Sequence, residues 1–200
     1  MDVFLQGLVA GFAIAVPVGP IAVLILDRGV KRGFKDASLA GLGAASADLV
    51  YAALAASAGA VIAAFVDPAI TPLRAIAVAI LVLIAFRNLR AVFRRVDDAD
   101  LPHVSRRRTY LTFLALTLLN PVTVVYFASL IVGLDLTDAS FAEKSAFVAA
   151  AFLASASWQL FLAASASLAG ARLSPRVRAA TTVLGSAVIL ALALKMALDI

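Results

Sequence analysis

The sequence predicts an all-α integral membrane protein with six transmembrane helices. Its composition is the first observation: 64% of the residues are hydrophobic and only 14% are charged, against roughly 25% charged in average globular chains. Long apolar runs that alternate with short charged connections are the second. The third is a pair of backbone-breaking motifs inside two of those runs, at residues 16–20 and at Asn120-Pro121. Together they predict one transmembrane domain over residues 1–200, folded as an inverted 3+3 repeat with broken helices 1 and 4.

The predicted spans are apolar runs of about 20 residues, the length that a helix needs to cross a bilayer. Most of these runs end at charged residues. The third run is the weakest because it is free of charge only over residues 75–86, so it spans if Arg74 and Arg87 extend toward the two interfaces. The predicted spans are about 4–26, 37–66, 73–92, 110–134, 145–169 and 177–198.

Lysine and arginine are distributed unequally between the two sides of the predicted helices. The first, third and fifth connections hold four, seven and three of them, whereas the opposite side holds only Arg74, Lys144 and Lys195. Basic residues concentrate in the cytoplasmic loops of membrane proteins. We therefore expect a multi-pass membrane protein with its basic loops in the cytoplasm and both termini outside. The same distribution accounts for the net charge of +5 without a nucleic-acid partner.

The composition also excludes several kinds of site. The chain has no cysteine and a single histidine, His103, so it cannot form disulfides, thiolate metal sites or a histidine cluster. No predicted span carries a nucleophile beside a base, or a group of acids. We expect no cofactor, no metal ion and no enzymatic activity.

The break in the first span holds Pro17, Gly19 and Pro20. A proline inside a helix removes one backbone hydrogen bond and clashes with the preceding turn. Unpaired backbone groups at membrane depth are tolerated only inside the protein or beside a wet cavity. Because Asn120-Pro121 interrupts the fourth span at a corresponding place, the two breaks predict a transporter's substrate site near the midplane. The alternative is a proline-kinked helix with a structural role only.

Asp48 is the only acidic residue deep inside a predicted span. A carboxylate there costs roughly 2.5–3.5 kcal/mol on insertion scales, so an intramembrane acid suggests a function. Ser46 and Tyr51 are its polar neighbours, and Tyr51 lies one turn farther along the same helix face. Asp48 is predicted to bind a proton or a cationic group of the substrate. The alternative is a carboxylate held by hydrogen bonds between helices.

The fifth span places Ser155, Trp158 and Gln159 on one helix face. We expect them to shape the substrate site, since a buried glutamine needs a partner and a tryptophan offers an apolar wall with one donor. An ordinary interhelical hydrogen bond beside a bulky core residue is the alternative. In the fourth span Asn120 is a favoured cap and Pro121 a favoured first residue of a half-helix, whose start would attract a carboxylate. Half-helix ends and an intramembrane acid together would suit a zwitterion such as an amino acid.

Several of these residues occur in motifs that resemble a known family. The motifs are Pro17-Val18-Gly19-Pro20, Ser46-Ala47-Asp48-Leu49, Leu119-Asn120-Pro121, Ser155-Ala156-Ser157-Trp158 and Leu173-Ser174-Pro175-Arg176. Over nearly its whole length the chain resembles the LysE-type translocators, exporters of lysine, homoserine, threonine and related amino acids. The resemblance implies export of small amino acids or similar solutes across the plasma membrane, driven by an ion gradient.

The sequence therefore predicts a secondary transporter that exports amino acids or related small solutes, coupled to the proton gradient. Its partners would be a small-molecule substrate and the lipid bilayer, and its many small residues permit a homodimer. An uptake transporter or an ion channel of the same architecture is the nearest alternative, because the sequence does not indicate the direction of transport. A membrane scaffold without transport is the alternative from a different class, although a scaffold would need neither Asp48 nor two breaks.

Overall fold

The computed structural model describes residues 2–17, 19–66, 70–93, 105–120, 123, 126, 139–172 and 174–198. Within these ranges all regular structure is helical, which agrees with the predicted all-α class. The helices are α1 (Val3–Ala15), α2 (Pro20–Arg32), α3 (Phe34–Val66), α4 (Ile70–Phe93), α5 (Arg106–Leu118), α6 (Phe141–Arg172) and α7 (Pro175–Leu198).

The predicted break in the first span is present. α1 ends at Ala15 and α2 begins at Pro20, and the axes of the two helices differ in direction by 74°. Pro20 occupies the first position of α2, where its fixed φ fits a helix and its missing N–H is not needed. Gly19 precedes it without a side-chain cap. Proline chemistry thus starts the second helix where the sequence predicted.

The connection between the first and second predicted spans is much shorter than the sequence predicted. Residues 27–36 were expected to form a charged connection, but α2 continues through Arg32 and only Gly33 separates it from α3. Gly33 has a φ of 79°, a left-handed conformation that glycine adopts without steric cost. Lys31 pairs with Asp27 one turn earlier at 2.9 Å, and such a pair stabilises a helix. Charged residues here therefore extend a helix instead of ending it.

α3 and α6 pack against each other, and α1, α2 and α5 each lie against one or both of them. α6 also contacts α1 and α2, α5 lies against α3, and α4 pairs with α7. Gly7 and Gly11 of α1 lie so close to α6 that an added Cβ would stand 2.9 Å from the Cβ of Ala150 and 2.8 Å from that of Ala154, respectively. Small residues let helix backbones approach closely within a membrane. The helix contacts that hold the fold are therefore built largely from alanine and glycine.

Among the described residues, two helices are individually long and apolar enough to cross a bilayer, α3 over Phe34–Ser57 and α6 over Phe141–Ala171. α1 and α2 make a third such segment if the bent pair counts as one span. Residues 127–134 of the predicted fourth span lie outside the described residues. The six-span arrangement stays a prediction.

Candidate functional site

Asp48 is buried where α3 contacts α6. Only 3% of its surface is exposed, and its carboxylate accepts a hydrogen bond of 2.6 Å from the Ser155 hydroxyl of α6. The ion pairs found among the described residues lie elsewhere, within α2 and between α2 and the start of α3. In this part of the chain Asp48 therefore has a hydroxyl donor and no cationic partner. A carboxylate buried in this way gains much from a positively charged ligand, because an unpaired buried charge is costly.

Two tyrosine hydroxyls join the surrounding helices in the same region. Tyr51, one turn after Asp48, donates a hydrogen bond to the carbonyl of Leu118, the last residue of α5. Tyr126 donates to the carbonyl of Ala10 in α1 at 2.9 Å. Both rings pack against a cluster of buried alanines from α1, α3 and α6. Since the last carbonyls of a helix lack intrahelical partners, the Tyr51 bond ties α3 to the end of α5, just before the second break.

Ser46 lies on a different side of α3 from Asp48. Its hydroxyl donates to the carbonyl of Leu42 and accepts a hydrogen bond from Tyr110 of α5, both at 2.8 Å. Residues two apart on a helix do not face the same way. The structure therefore places Ser46 at the contact between α3 and α5 and does not bring it to Asp48.

The other two residues predicted on the fifth span follow Ser155 along α6. Gln159, one turn farther, is 5% exposed, and its Cβ packs against Gly41 of α3. Among the described residues, the buried Oε1 of Gln159 and the buried Nε1 of Trp158 have no hydrogen-bond partner. The Trp158 ring lies against Phe161, with 5.4 Å between the ring centroids. A polar ligand could donate a hydrogen bond to Gln159 and accept one from Trp158.

The first helix break presents backbone donors. Pro17 is exposed, and no atom of the described residues lies within 4 Å of the place where a Cβ of Gly19 would stand. The amides of Ile21 and Ala22 lie in the first turn of α2, where intrahelical partners are missing and no side chain caps the helix. Such an end can meet an anionic group.

The second break follows the end of α5 at Leu118. The Asn120 side-chain amide donates to the Thr123 hydroxyl at 3.1 Å, and the Thr123 backbone N–H donates to the Asn120 carbonyl, also at 3.1 Å. Pro121 lies outside the described residues, so the cap predicted at this position stays a prediction. Thr117, one turn before Asn120, is 4% exposed, and its hydroxyl has no partner among the described residues.

Sequence reasoning missed Tyr126 and the polar contacts at the end of α2. Thr182 of α7 donates to Asp27 at 3.0 Å, and Arg28 donates to Asp36 at 2.6 Å. The spacing of four between Asp27 and its lysine partner was an available signal for a helix. The Thr182–Asp27 contact joins residues 155 apart in the chain, and no local pattern predicts it.

Comparison with known proteins identifies a family. The sequence pattern of the LysE type translocator family matches residues 12–199. A Bacillus subtilis (strain 168) protein named "Putative amino acid efflux protein YcgF" is 43% identical over 51 residues, which cover 26% of this chain and 24% of that protein. The similarity to this relative thus spans about a quarter of its length. No solved structure shows a significant match. With a family match over almost the entire chain and helices apolar enough to cross a bilayer, this multi-pass membrane protein belongs to the LysE type translocator family.

Proposed function

We propose that the protein exports amino acids or related small solutes across the plasma membrane, coupled to the proton gradient. The observation that carries this proposal is the buried Asp48 carboxylate, 3% exposed, in a chain of a translocator family. A buried acid is costly unless it acquires a cationic partner. The ammonium group of an amino acid, or a proton, would be that partner during the transport cycle. Similarity to a named amino acid efflux protein over a quarter of the chain supports this substrate class.

The groups near Asp48 suit a small zwitterion. Gln159 would accept a hydrogen bond from the solute and Trp158 would donate one, since Oε1 and Nε1 are buried without partners among the described residues. The uncapped start of α2 after Gly19-Pro20 would meet the solute carboxylate. Opposite charges at the two ends of the solute would then each have a complementary group.

The helix contacts favour six spans in two inverted halves. In such a repeat α1 would correspond to α5, α3 to α6 and α4 to α7. The contact of α1 with α6 then has its counterpart in the contact of α5 with α3. The contacts of α3 with α6 and of α4 with α7 each join two equivalent helices. Asp48 lies 14 residues after Phe34 at the start of α3, and Ser155 lies 14 residues after Phe141 at the start of α6. A twofold axis through the Asp48–Ser155 contact would generate this pattern.

The charges favour one orientation in the membrane. The end of α2, with Lys31 and Arg32 in its last turn, belongs to the side that holds most of the basic residues. Basic residues lie mainly on the cytoplasmic side of membrane proteins. In this proposal the end of α2 faces the cytoplasm, the chain spans the plasma membrane, and both termini lie outside.

Transport by purified protein in liposomes tests the proposal. Vesicles are preloaded with labelled basic, neutral or acidic amino acids, and efflux is measured with and without an imposed proton gradient. We expect gradient-dependent efflux of at least one class, reduced at least about tenfold, or about 1.4 kcal/mol, by Asp48→Asn. Ser57→Ala is the matched control, because this exposed serine bonds only to carbonyls of its own helix.

Each part of the proposal has an outcome that contradicts it. Equal efflux by Asp48→Asn and the wild type would remove Asp48 from the site. Efflux that ignores the gradient would refute the coupling. Accumulation of solute on the side of the membrane that the cytoplasmic face of the protein contacts would favour the uptake alternative.

A further inference from the structure

α2 is a short helix with a break in the helical backbone at each end. The proline–glycine break precedes Pro20, and Gly33, with its φ of 79°, follows Arg32. Moving elements of proteins turn about a few loop or element-terminal residues of this kind. α2 contacts α3, α5, α6 and α7, so a movement of α2 would change its packing against four helices.

Arg28 ties α2 to α3 and α5. Its Nη1 donates hydrogen bonds to Asp36 at 2.6 Å and to Thr109 at 2.9 Å, and the Thr109 hydroxyl donates to the other Asp36 oxygen at 3.2 Å. The guanidinium carbon lies 5.5 Å from the centre of the Phe113 ring, within the range of a cation–π interaction. Thr109 is 0% exposed. Arg28, Asp36 and Thr109 form what we call the Arg28 clamp.

Asp27 ties α2 to α7. One carboxylate oxygen accepts a hydrogen bond of 3.0 Å from Thr182, and the other accepts one of 2.9 Å from the Lys31 ammonium. Thr182 is 1% exposed, and the side chains of Asp27 and Lys31 are each 15% exposed. Asp27, Lys31 and Thr182 form the Asp27 clamp. Two adjacent residues of α2 thus hold three neighbouring helices.

We propose that α2 is the moving gate on the basic side of the membrane and that the Arg28 and Asp27 clamps close it in this structure. The inference rests on the proposed transport function, because an exporter must admit its solute from that side. Asp36 precedes Asp48 by 12 residues on α3, which is about 18 Å along a helix, so the clamps lie between the buried acid and the basic side.

The chemistry of the clamps suits a contact that opens and closes. Each clamp pairs charged side chains with a threonine hydroxyl, and its charged members are partly exposed, with 21% for Arg28 and 18% for Asp36. When such groups separate, water replaces the protein partners, and the net cost is small. A purely apolar contact would expose hydrophobic surface at every cycle. The clamps can therefore hold the closed state without preventing the open one.

Cysteine labelling measures whether the clamps close the path. The natural chain has no cysteine, so Ala40→Cys, at a 0% exposed position one turn after Asp36, reports access by itself. A membrane-impermeant maleimide is applied to vesicles of each orientation. Arg28→Gln is expected to raise the rate of labelling from the basic side about tenfold. A minor open state has a population of about 0.1–10%, so its population can increase by that factor. Lys35→Gln removes an equal charge from an exposed neighbouring position and is expected to change nothing.

A second variant keeps the labelling test valid if Arg28→Gln folds poorly. The single change leaves Asp36 without its cation, which is destabilising, whereas Arg28→Gln with Asp36→Asn removes both charges together. The double variant is expected to label at least as fast as the single one. No increase in the folded variants, or an equal increase from both faces of the membrane, would overturn the gate.

A reversible tether separates a gate from a static support. A Cβ added at Gly185 of α7 would lie 3.2 Å from Cγ1 of Val23 in α2, so Val23→Cys with Gly185→Cys can form a disulfide and leaves both clamps intact. Oxidation is expected to reduce efflux at least about tenfold, and reduction to restore it, because a gate must open in every cycle. Each single-cysteine variant is the control and is expected to be insensitive to oxidant.

Unchanged efflux through protein whose Val23–Gly185 bridge is confirmed by peptide mass would refute the gate, since a static support tolerates a tether. The labelling experiment needs no solute. If the wild type exports nothing on the amino acid panel, the proposed substrate fails, while the labelling rates of the Arg28 variants still decide whether α2 closes the path.

Discussion

The hydrogen bond between Ser155 and Asp48 is the contact on which the proposed site depends most directly. Ser155→Ala removes the hydroxyl that donates to Asp48 at 2.6 Å and leaves a methyl group at a position that is 0% exposed, so the packing barely changes. A hydrogen bond to a charged group contributes about 1.5–3 kcal/mol to stability. For a chain of this size each kcal/mol shifts Tm by roughly 2–4 °C. We therefore expect Ser155→Ala to lower Tm by about 3–12 °C.

Ser157→Ala is the matched control for this prediction. Ser157 is exposed on the same helix and donates to the carbonyl of Ala154 one turn earlier at 2.8 Å, so its removal is expected to change stability by less than about 0.5 kcal/mol. Thermal unfolding of the detergent-solubilised protein measures both variants. In an Asp48→Asn background the cost of Ser155→Ala is expected to fall by at least about 0.5 kcal/mol, the coupling of residues in contact. Equal Tm values for Ser155→Ala and Ser157→Ala would refute the bond and, with it, the argument that α3 and α6 meet at the site.

Three further changes test separate parts of the structure. Gly11→Leu forces a side chain against α6, where an added Cβ already lies 2.8 Å from Ala154, and is expected to lower stability by about 1–3 kcal/mol in thermal unfolding, whereas Ala13→Leu on the exposed face of α1 leaves Tm unchanged. Gly33→Ala places a Cβ on a residue with a φ of 79° and is expected to cost about 1–2 kcal/mol; an unchanged Tm would contradict the left-handed junction. Gln159→Met removes a buried Oε1 that has no partner among the described residues, so Tm is expected to stay equal or rise. The KM for the exported solute is expected to increase at least about tenfold, and a normal KM would exclude Gln159 from the site.

The features that the sequence predicted well depend on local chemistry. Pro20 begins a helix because its ring fixes φ and removes a donor, and this holds whatever surrounds it. Asp48 is buried as expected, since a lone acid within a long apolar helix has few ways to reach water. Ser155 and Gln159 lie on the buried side of α6, in agreement with their helical spacing.

Contacts between distant parts of the chain could not be predicted in this way. Asp48 and its donor Ser155 are 107 residues apart, and their pairing follows from the packing of α3 on α6, which no local pattern determines. Ser46 was expected beside Asp48 because the two are close in sequence. Its hydroxyl instead accepts a hydrogen bond from Tyr110 of α5, on another side of the helix. The charged residues at the end of α2 were expected to form an open connection, whereas they are helical, and Asp27 and Arg28 bond to side chains of α3, α5 and α7.

The contact between Asp48 and Ser155 has a consequence for how such a chain evolves. In the proposed inverted repeat, residues at equivalent positions of the two halves meet on the symmetry axis. Two aspartates at this position would repel each other, and two serines would carry no charge. An ancestor with identical halves could therefore not contain this pairing of an acid with a hydroxyl. The pairing becomes accessible once the two halves can mutate independently, as they can after a duplication that gives each half its own coding sequence.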